Sequence, residues 1–194
     1  TVQQICKQAK ANPALISYHF GDKASLYEAV WRRCVRRARA HYPVDGGAGA
    51  EHSPEEKFRA YIQTFVRCMA DSGELGHLHR LNMFETAAPN AFIQPVILEL
   101  RQPHSEYLWL LLRELLGPGA TEEELALCEK SVVGQCRMAR AGGGTRNPDL
   151  TKPVSPEDTE ALANHIVHFT LAGIAALRQQ IDQRESQAHP HSQK

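Results

Sequence analysis

Tyr18, His19 and Lys23 are the residues of this chain whose types and spacing best suit contact with a polyanion. They lie within about one helical turn of each other, at the end of one short helical stretch and the start of the next. Phenol, imidazole and ammonium groups near helix termini bind phosphate oxygens. We therefore predict that these three side chains contact the backbone of a nucleic acid.

The residues just before them suit base contacts. Small or apolar groups can approach base edges, including thymine methyl groups. Four such groups occur here: Pro13, Ala14, Leu15 and Ser17. From the spacing alone the alternative stays open that Tyr18 and His19 only coat a surface and that Leu15 packs in a core.

The local sequence predicts a pair of short helices that would position these side chains. Asn12 is a good N-cap, Pro13 suits the first helical position, and Gly21 can end the helix. An apolar pattern with three- and four-residue spacing predicts another helix over residues 1–9, before a tight turn. Two short helices joined in this way form a helix-turn-helix, whose second helix enters the DNA major groove.

The charge distribution supports contact between this end of the chain and nucleic acid. The net charge of all 194 residues is zero, but residues 1–43 carry 8 Lys and Arg against 2 acids, and the remainder is acidic by the same amount. A basic head on an acidic body is expected when only one end of a protein meets a polyanion.

The stretch Ile16-Ser17-Tyr18-His19-Phe20-Gly21-Asp22-Lys23, followed by Leu26-Tyr27 and Val30, resembles the TetR family of bacterial transcriptional regulators. The resemblance covers roughly the first 40 residues. It implies a recognition helix, a turn and a connecting helix over 24–41 whose tilt sets the direction of the recognition helix. Lys10-Ala11-Asn12 stands where the family usually has Gly-Val-Ser, and we expect the family's first helix to be missing from this chain.

The rest of the chain predicts a helical body, and so an all-α fold with two domains. We expect a helix-turn-helix DNA-binding domain with its connecting helix over 1–43, a helical regulatory and dimerisation domain over 44–185, and a polar tail over 186–194. The Gly-rich segment 46–49 marks the boundary. Ser53 with Glu56, and Thr121 with Glu124, are capping boxes that start two body helices.

A small-molecule pocket is expected beside a helix interrupted by Pro95 and Pro103, since prolines kink or break helices and leave gaps. Polar or large residues within apolar stretches are our candidates for its lining: His79, Met83, Phe84, Trp109 and Gln135. Core packing of these residues is the alternative. A metal site on His77, His79 and Glu85 is disfavoured, because residues two apart on a helix point away from each other.

The last two helices predict a homodimer interface. Each carries a small residue, Gly134 or Gly173, in an apolar seam that would let helices approach closely, although packing inside one subunit would give the same pattern. A two-fold DNA reader needs a dimer to span half-sites. The predicted interface residues are Leu125, Cys128, Val132, Gly134, Ile166, Phe169, Gly173 and Leu177.

The body also resembles a subgroup of the TetR family. Arg101-Gln102-Pro103-His104 and the run from Leu127-Cys128 to Ser131-Val132-Val133-Gly134-Gln135-Cys136 are similar to the C-terminal domain of CecR-type regulators, over most of residues 56–176. This resemblance implies a regulator of efflux or stress genes but does not identify its ligand.

We therefore predict a cytoplasmic, ligand-responsive transcriptional regulator, a repressor that a small-molecule effector releases from double-stranded operator DNA. Five widely spaced cysteines suit free thiols in a reducing compartment, and no apolar run approaches the roughly 20 residues that span a membrane. We predict no cofactor, no metal and no membrane association. The alternatives are a helical protein-interaction module without DNA binding or a small helical enzyme. No Gly-x-Ser-x-Gly, no His-Glu-x-x-His and no phosphate-binding glycine loop over 142–153 supports an enzyme.

Overall fold

The computed structural model describes residues 1–140 and 154–188, and all regular structure within them is helical. The all-α fold predicted from the sequence is confirmed. The glycine-rich segment 142–153 and residues 189–194 of the predicted tail lie outside the described part, while residues 186–188 end the last helix. The helices are α1 Val2–Ala9, α2 Pro13–Phe20, α3 Lys23–His41, α4 Pro54–Ala70, α5 His77–Ala87, α6 Gln94–Leu116, α7 Glu122–Arg137, a 3-10 turn Met138–Arg140, and α8 Pro156–Ala188.

The helix starts follow the capping chemistry of the sequence. The Asn12 side chain accepts a hydrogen bond from the backbone N–H of Ala14 at 2.9 Å, and Pro13 occupies the first turn of α2. Both predicted capping boxes, at Ser53 and at Thr121, are present with their reciprocal hydrogen bonds. Each box satisfies backbone donors that a helix N-terminus otherwise leaves without partners.

The turn between α1 and α2 holds Lys10 in a left-handed conformation, with φ 51° and ψ 37°. This conformation costs a residue with a side chain roughly 1 kcal/mol, and glycine adopts it without steric penalty. We expect Lys10→Gly to raise the free energy of unfolding by roughly 0.5–1 kcal/mol, measured by urea denaturation. Lys10→Ala is the matched control, because it removes the same charge and keeps the strain. Equal stability of the two variants would show that the turn stores no strain.

The core of the body is built around α4. Its buried side chains include Phe58, Tyr61, Ile62 and Val66, which face α6, α7 and α8. A helix with such a broad apolar stripe must be covered on several sides, and the three neighbours supply that cover. The other helices of the body therefore take their positions from α4.

The prolines of α6 act differently from expectation. Pro95 lies in the first turn, where its missing N–H leaves no intrahelical bond unmade, so it starts the helix instead of breaking it. Pro103 lies inside α6, and the helix continues through it to Leu116. The apolar second half of α6 is buried, as its composition requires, through Leu108, Leu111 and Leu112.

Among the described residues, α8 is the one helix that is long and apolar enough to cross a membrane, over 156–187. Part of that apolar content is core: Val167 and Ile174 are buried against the body. Its first turns also bond to α4, where Arg67 contacts Glu160 at 2.7 Å. Packing inside a helical body accounts for this inner face. The opposite face of α8 carries exposed apolar residues.

Candidate DNA-binding helix and effector cavity

The predicted recognition helix α2 exposes the residues expected from its sequence. Tyr18 is 82% exposed and Leu15 is 53% exposed, while Ile16 is buried against the neighbouring helices. All seven predicted DNA-contacting residues are exposed: Pro13, Ala14, Leu15, Ser17, Tyr18, His19 and Lys23. The structure thus leaves this helix free to contact a partner along one face.

The link between α2 and α3 is short and well defined. Gly21 ends α2 with φ 77°, and the Asp22 side chain caps α3 by accepting from the N–H of Ser25 at 2.7 Å. Hydrogen bonds to Ser25 lower the pKa of Asp22 below its usual range. Lys23, the last predicted phosphate contact, is therefore the first residue of α3. A movement of α3 moves α2 with it.

Helix α3 is fixed to the body mainly by an apolar joint around Trp31. This side chain is 1% exposed and packs in a cluster with Val35, Ile93 and Ile97. Trp31 was not among the residues predicted from the sequence, because arginines dominate α3 and contacts with α6 decide which face of α3 is buried. Burial of an indole contributes several kcal/mol, more than any single exposed ion pair in the joint.

Polar bonds add to this joint and give it a fixed register. Three of the five arginines of α3, Arg32, Arg37 and Arg39, have hydrogen-bond partners in the body. The bonds are Tyr27 to Glu85 at 2.8 Å, Arg32 to Glu99 at 2.8 Å, Arg37 to Glu74, and Arg39 to the carbonyl oxygen of Leu100. These contacts distribute the joint over α5 and α6.

A cavity of about 150 Å³ lies where α3 meets α4, α5, α6 and α7. Much of its wall is apolar, and that part includes Val35, Ala38, Phe65, Met69 and Ile97. Trp31, Val35 and Ala38 are residues of α3, so the connecting helix itself forms part of the cavity wall. A molecule in the cavity would touch the helix that carries α2.

The cavity also has a polar side. Its charged lining residues are three arginines, Arg39, Arg101 and Arg137, and one carboxylate, Glu129. Glu129 accepts hydrogen bonds from Ser105 and from the indole of Trp109, both at 2.6 Å. The lining therefore holds more positive than negative charge, on side chains that are half-buried.

Burial changes the ionisation of the polar groups. Burial and the neighbouring Arg137 guanidinium lower the pKa of Arg101 to about 10, and burial lowers that of Arg137. Burial and Arg39 lower the pKa of His104 to about 4, so this imidazole is neutral near pH 7. The positive charge of the cavity comes from the arginines, because arginine stays protonated near neutral pH.

His104 makes the stability of the protein depend on pH. The folded protein binds a proton at His104 only near pH 4, whereas an unfolded chain binds it near pH 6.5. As pH falls from 7 to 5, proton uptake by the unfolded state lowers the free energy of unfolding, by about 2 kcal/mol from this group. We expect His104→Phe, which keeps an aromatic ring beside Tyr61 and Phe65, to remove this part of the pH dependence.

The measurement is urea denaturation of both proteins at pH 7 and pH 5, compared as a difference so that all other groups cancel. His52→Phe, at an exposed site, is the matched control and should lose as much stability as the wild type. If the wild type and His104→Phe lost equal stability, His104 would not be a buried neutral imidazole.

None of the five residues predicted to line a pocket lines this cavity. His79 is buried elsewhere, Met83 and Phe84 are exposed on α5, and Gln135 faces a groove between α7 and α8. Trp109 is the nearest to a correct prediction, since it donates to Glu129 of the lining. These residues were chosen because they are polar or large within apolar stretches, and this criterion does not tell which side of a helix faces the cavity. The motif Arg101-Gln102-Pro103-His104 did contain two lining residues, Arg101 and His104.

The outer faces of α7 and α8 form a shallow apolar groove. Phe169 is 65% exposed, and Gly173 and Leu177 follow it at four-residue spacing on α8, opposite Leu127 of α7. The space where a Cβ of Gly173 or Gly134 would lie is empty. These residues form an unpartnered seam on the surface of one chain.

Half of the predicted interface residues lie inside the chain instead. Leu125, Cys128, Val132 and Ile166 are buried in the core of the body. Each of the two helices has an inner and an outer apolar seam, and the periodicity alone did not separate them. The predicted interface residues that remain at the surface are Gly134, Phe169, Gly173 and Leu177. Leu127 of α7 is exposed beside them in the same groove.

A family match to known proteins was found for the helical body of the chain. Residues 54–174 match the model of a protein family described as the C-terminal domain of the HTH-type transcriptional dual regulator CecR. A search of curated proteins found no match. The matched region spans α4 to the first half of α8 and includes Arg101, His104 and Arg137 of the cavity. The resemblance predicted from the body sequence is confirmed, and its family consists of transcriptional regulators, which suggests a non-enzymatic role. The chain belongs to the CecR-type group of TetR-like transcriptional regulators.

Proposed function

We propose that the protein is a homodimeric DNA-binding regulator that holds operator DNA through α2 and releases it when a small molecule fills the cavity. In this account it is a cytoplasmic repressor without membrane association. Membership of a regulator family supports the regulatory role. The exposed face of α2 and the basic head support the contact with DNA.

The observation that carries the proposal is the continuity of α3. The helix begins at Lys23, directly after the predicted recognition helix, and its residues Trp31, Val35 and Ala38 line the cavity. A ligand can shift the position of α3 only if it binds one position more tightly than the other. A ligand that fits better between displaced walls would tilt α3, move the two α2 helices of a dimer apart, and mismatch them with successive major grooves.

The dimer in this proposal is built on the outer seam of α7 and α8. Two such helices from each subunit would form a four-helix interface, with Gly173 permitting close approach and Phe169 becoming buried. The same contact would cover the apolar outer face of α8. A two-fold axis through it would place the heads as a symmetric pair.

DNA binding through α2 is tested with duplexes selected from a random pool by the full chain. We expect Tyr18→Ala with Lys23→Ala to weaken binding at all sequences. The slope of log affinity against log salt should fall by about one for each phosphate that the variant no longer neutralises. The matched control is Lys57→Ala, which removes a charge from α4 in the body. An unchanged salt slope in the double variant would exclude α2 as the DNA-binding element.

A further inference from the structure

Five buried polar atoms beside the cavity have no hydrogen-bond partner among the residues that the structure describes. They are Trp31 Nε1, Arg39 Nε, Arg101 Nε, Tyr61 Oη and His104 Nδ1, and their residues all line the cavity. Tyr61 is 1% exposed, so water outside the protein cannot reach its hydroxyl. A buried donor without an acceptor costs about 1–3 kcal/mol, and such groups in native proteins call for an explanation.

Most of the atoms without partners share one chemical character. The two arginine nitrogens and the indole nitrogen are N–H donors only, while the tyrosine hydroxyl and Nδ1 of a neutral imidazole can donate or accept. The single carboxylate of the lining, Glu129, is already bonded to Ser105 and Trp109. What the cavity lacks is an acceptor.

The cavity also lacks negative charge. Arg137 lies close enough to Arg101 to disfavour its charge and lower its pKa, and Arg39 lowers the pKa of His104 in the same way. Buried charges in proteins are normally paired, since an unpaired charge away from water is strongly unfavourable. Glu129 can balance only one of the three guanidinium groups.

The remaining wall fixes the size and polarity of the rest of the ligand. It is aliphatic and aromatic, through residues such as Val35, Phe65 and Met69. The cavity volume of about 150 Å³ is close to that of protein cavities that admit one benzene molecule. Water alone would satisfy some donors but would leave the excess charge unbalanced and the apolar wall wet.

From the excess arginines, the donors without acceptors and the apolar wall we propose that the effector is a small organic carboxylate, with an aromatic or branched apolar body about the size of benzoate. Its carboxylate lies between Arg101 and Arg137 and accepts hydrogen bonds from both guanidinium groups and from the Tyr61 hydroxyl near Arg137. Its apolar body lies against α3 and α4. This assignment rests on the proposed function only in calling the ligand an effector, since the binding site stands without DNA.

Calorimetric titration of the full chain tests this assignment with three probes of similar shape: benzoate, benzyl alcohol and benzylamine. We expect benzoate to bind at least about tenfold more tightly than benzyl alcohol, because hydrogen bonds to charged groups contribute more than neutral ones, and benzylamine not to bind. Equal binding of benzoate and benzyl alcohol, or no binding of benzoate, would overturn the assignment. This comparison uses the wild-type protein, so it does not depend on a variant that folds.

Substitution then locates the site. We expect Arg101→Met and Arg137→Met each to weaken benzoate at least about tenfold while leaving benzyl alcohol unchanged. Arg113→Met is the matched control, because Arg113 lies on α6 with Arg101 but is exposed outside the cavity, and it should bind benzoate like the wild type. Benzoate binding that both cavity variants retain in full would place the anion elsewhere and overturn the assignment.

A DNA arm separates this inference from the proposed function. If benzoate binds in the cavity but leaves the affinity for a selected duplex unchanged, the carboxylate site stands and the proposed release mechanism fails. If benzyl alcohol releases the duplex and benzoate does not, the release mechanism stands and the carboxylate assignment fails.

Discussion

Trp31→Ala is expected to lower the free energy of unfolding by about 3–5 kcal/mol, because it empties the centre of the joint between α3 and the body. The indole is almost fully buried among Val35, Ile93 and Ile97. Urea denaturation followed by circular dichroism measures the change.

Trp31→Phe is the graded control for this prediction. It keeps a ring in the same cluster and should lose clearly less stability than the alanine variant. A loss below about 1 kcal/mol in Trp31→Ala would mean that ion pairs, and not apolar packing around the indole, hold most of α3 against the body.

Gly173→Leu is expected to convert a dimer to monomers without harming the fold of the subunit. No atom lies within 4 Å of the position a Cβ would take, so the side chain fits on a single chain, and leucine favours a helix more than glycine does. In a close four-helix interface the same side chain would collide with the partner subunit twice, once on each side of the axis. We expect the dimer dissociation constant to rise by about 100-fold or more.

Sedimentation equilibrium measures this effect, and thermal unfolding at high protein concentration checks the subunit. Ala175→Leu is the matched control, because Ala175 lies on α8 in a different groove, beside Glu114 and Leu115. It adds the same bulk and should leave the dimer intact. If Gly173→Leu dimerised as tightly as the wild type, the outer seam of α7 and α8 would not be the interface.

The sequence predicted well those features that local chemistry decides. Asn12, Ser53 and Thr121 cap helices because their side chains satisfy nearby backbone donors, and this needs no knowledge of the fold. The exposed face of α2 follows in the same way from eight residues with Ile16 as their inward anchor. Such features depend only on residues within a few positions of each other.

The cavity could not be predicted in this way, because its lining comes from five helices that are distant in the sequence. In the sequence, Trp31 is a single aromatic residue in a basic helix. Only the structure shows that Ile93 and Ile97 pack on it. Arginine side chains are mostly exposed in proteins, yet that of Arg101 points inward from α6 and bonds Asn82 at 2.6 Å. Which residues face a cavity depends on how the helices rotate against each other, and periodicity alone leaves that rotation open.

Periodicity also fails to distinguish the outer seam of α7 and α8 from their core-facing side. Val132 and Gly134 are two residues apart on α7, and periodicity placed both at the predicted interface, but one faces the core and the other faces solvent. Two apolar seams on one helix are expected when that helix packs inside a subunit and also meets a partner. The sequence pointed to this pair of helices but did not distinguish their two faces.

The most direct test of the account is the dissociation constant of the protein for a selected operator duplex, measured at fixed salt with and without a small molecule that calorimetry shows to bind in the cavity. We predict that the bound ligand raises this constant by roughly 5- to 150-fold, the usual range of coupling between two sites. The same ligand should leave the constant unchanged in a variant whose cavity no longer binds it. An unchanged constant in the wild-type protein with its cavity occupied would contradict the coupling of cavity to DNA through α3.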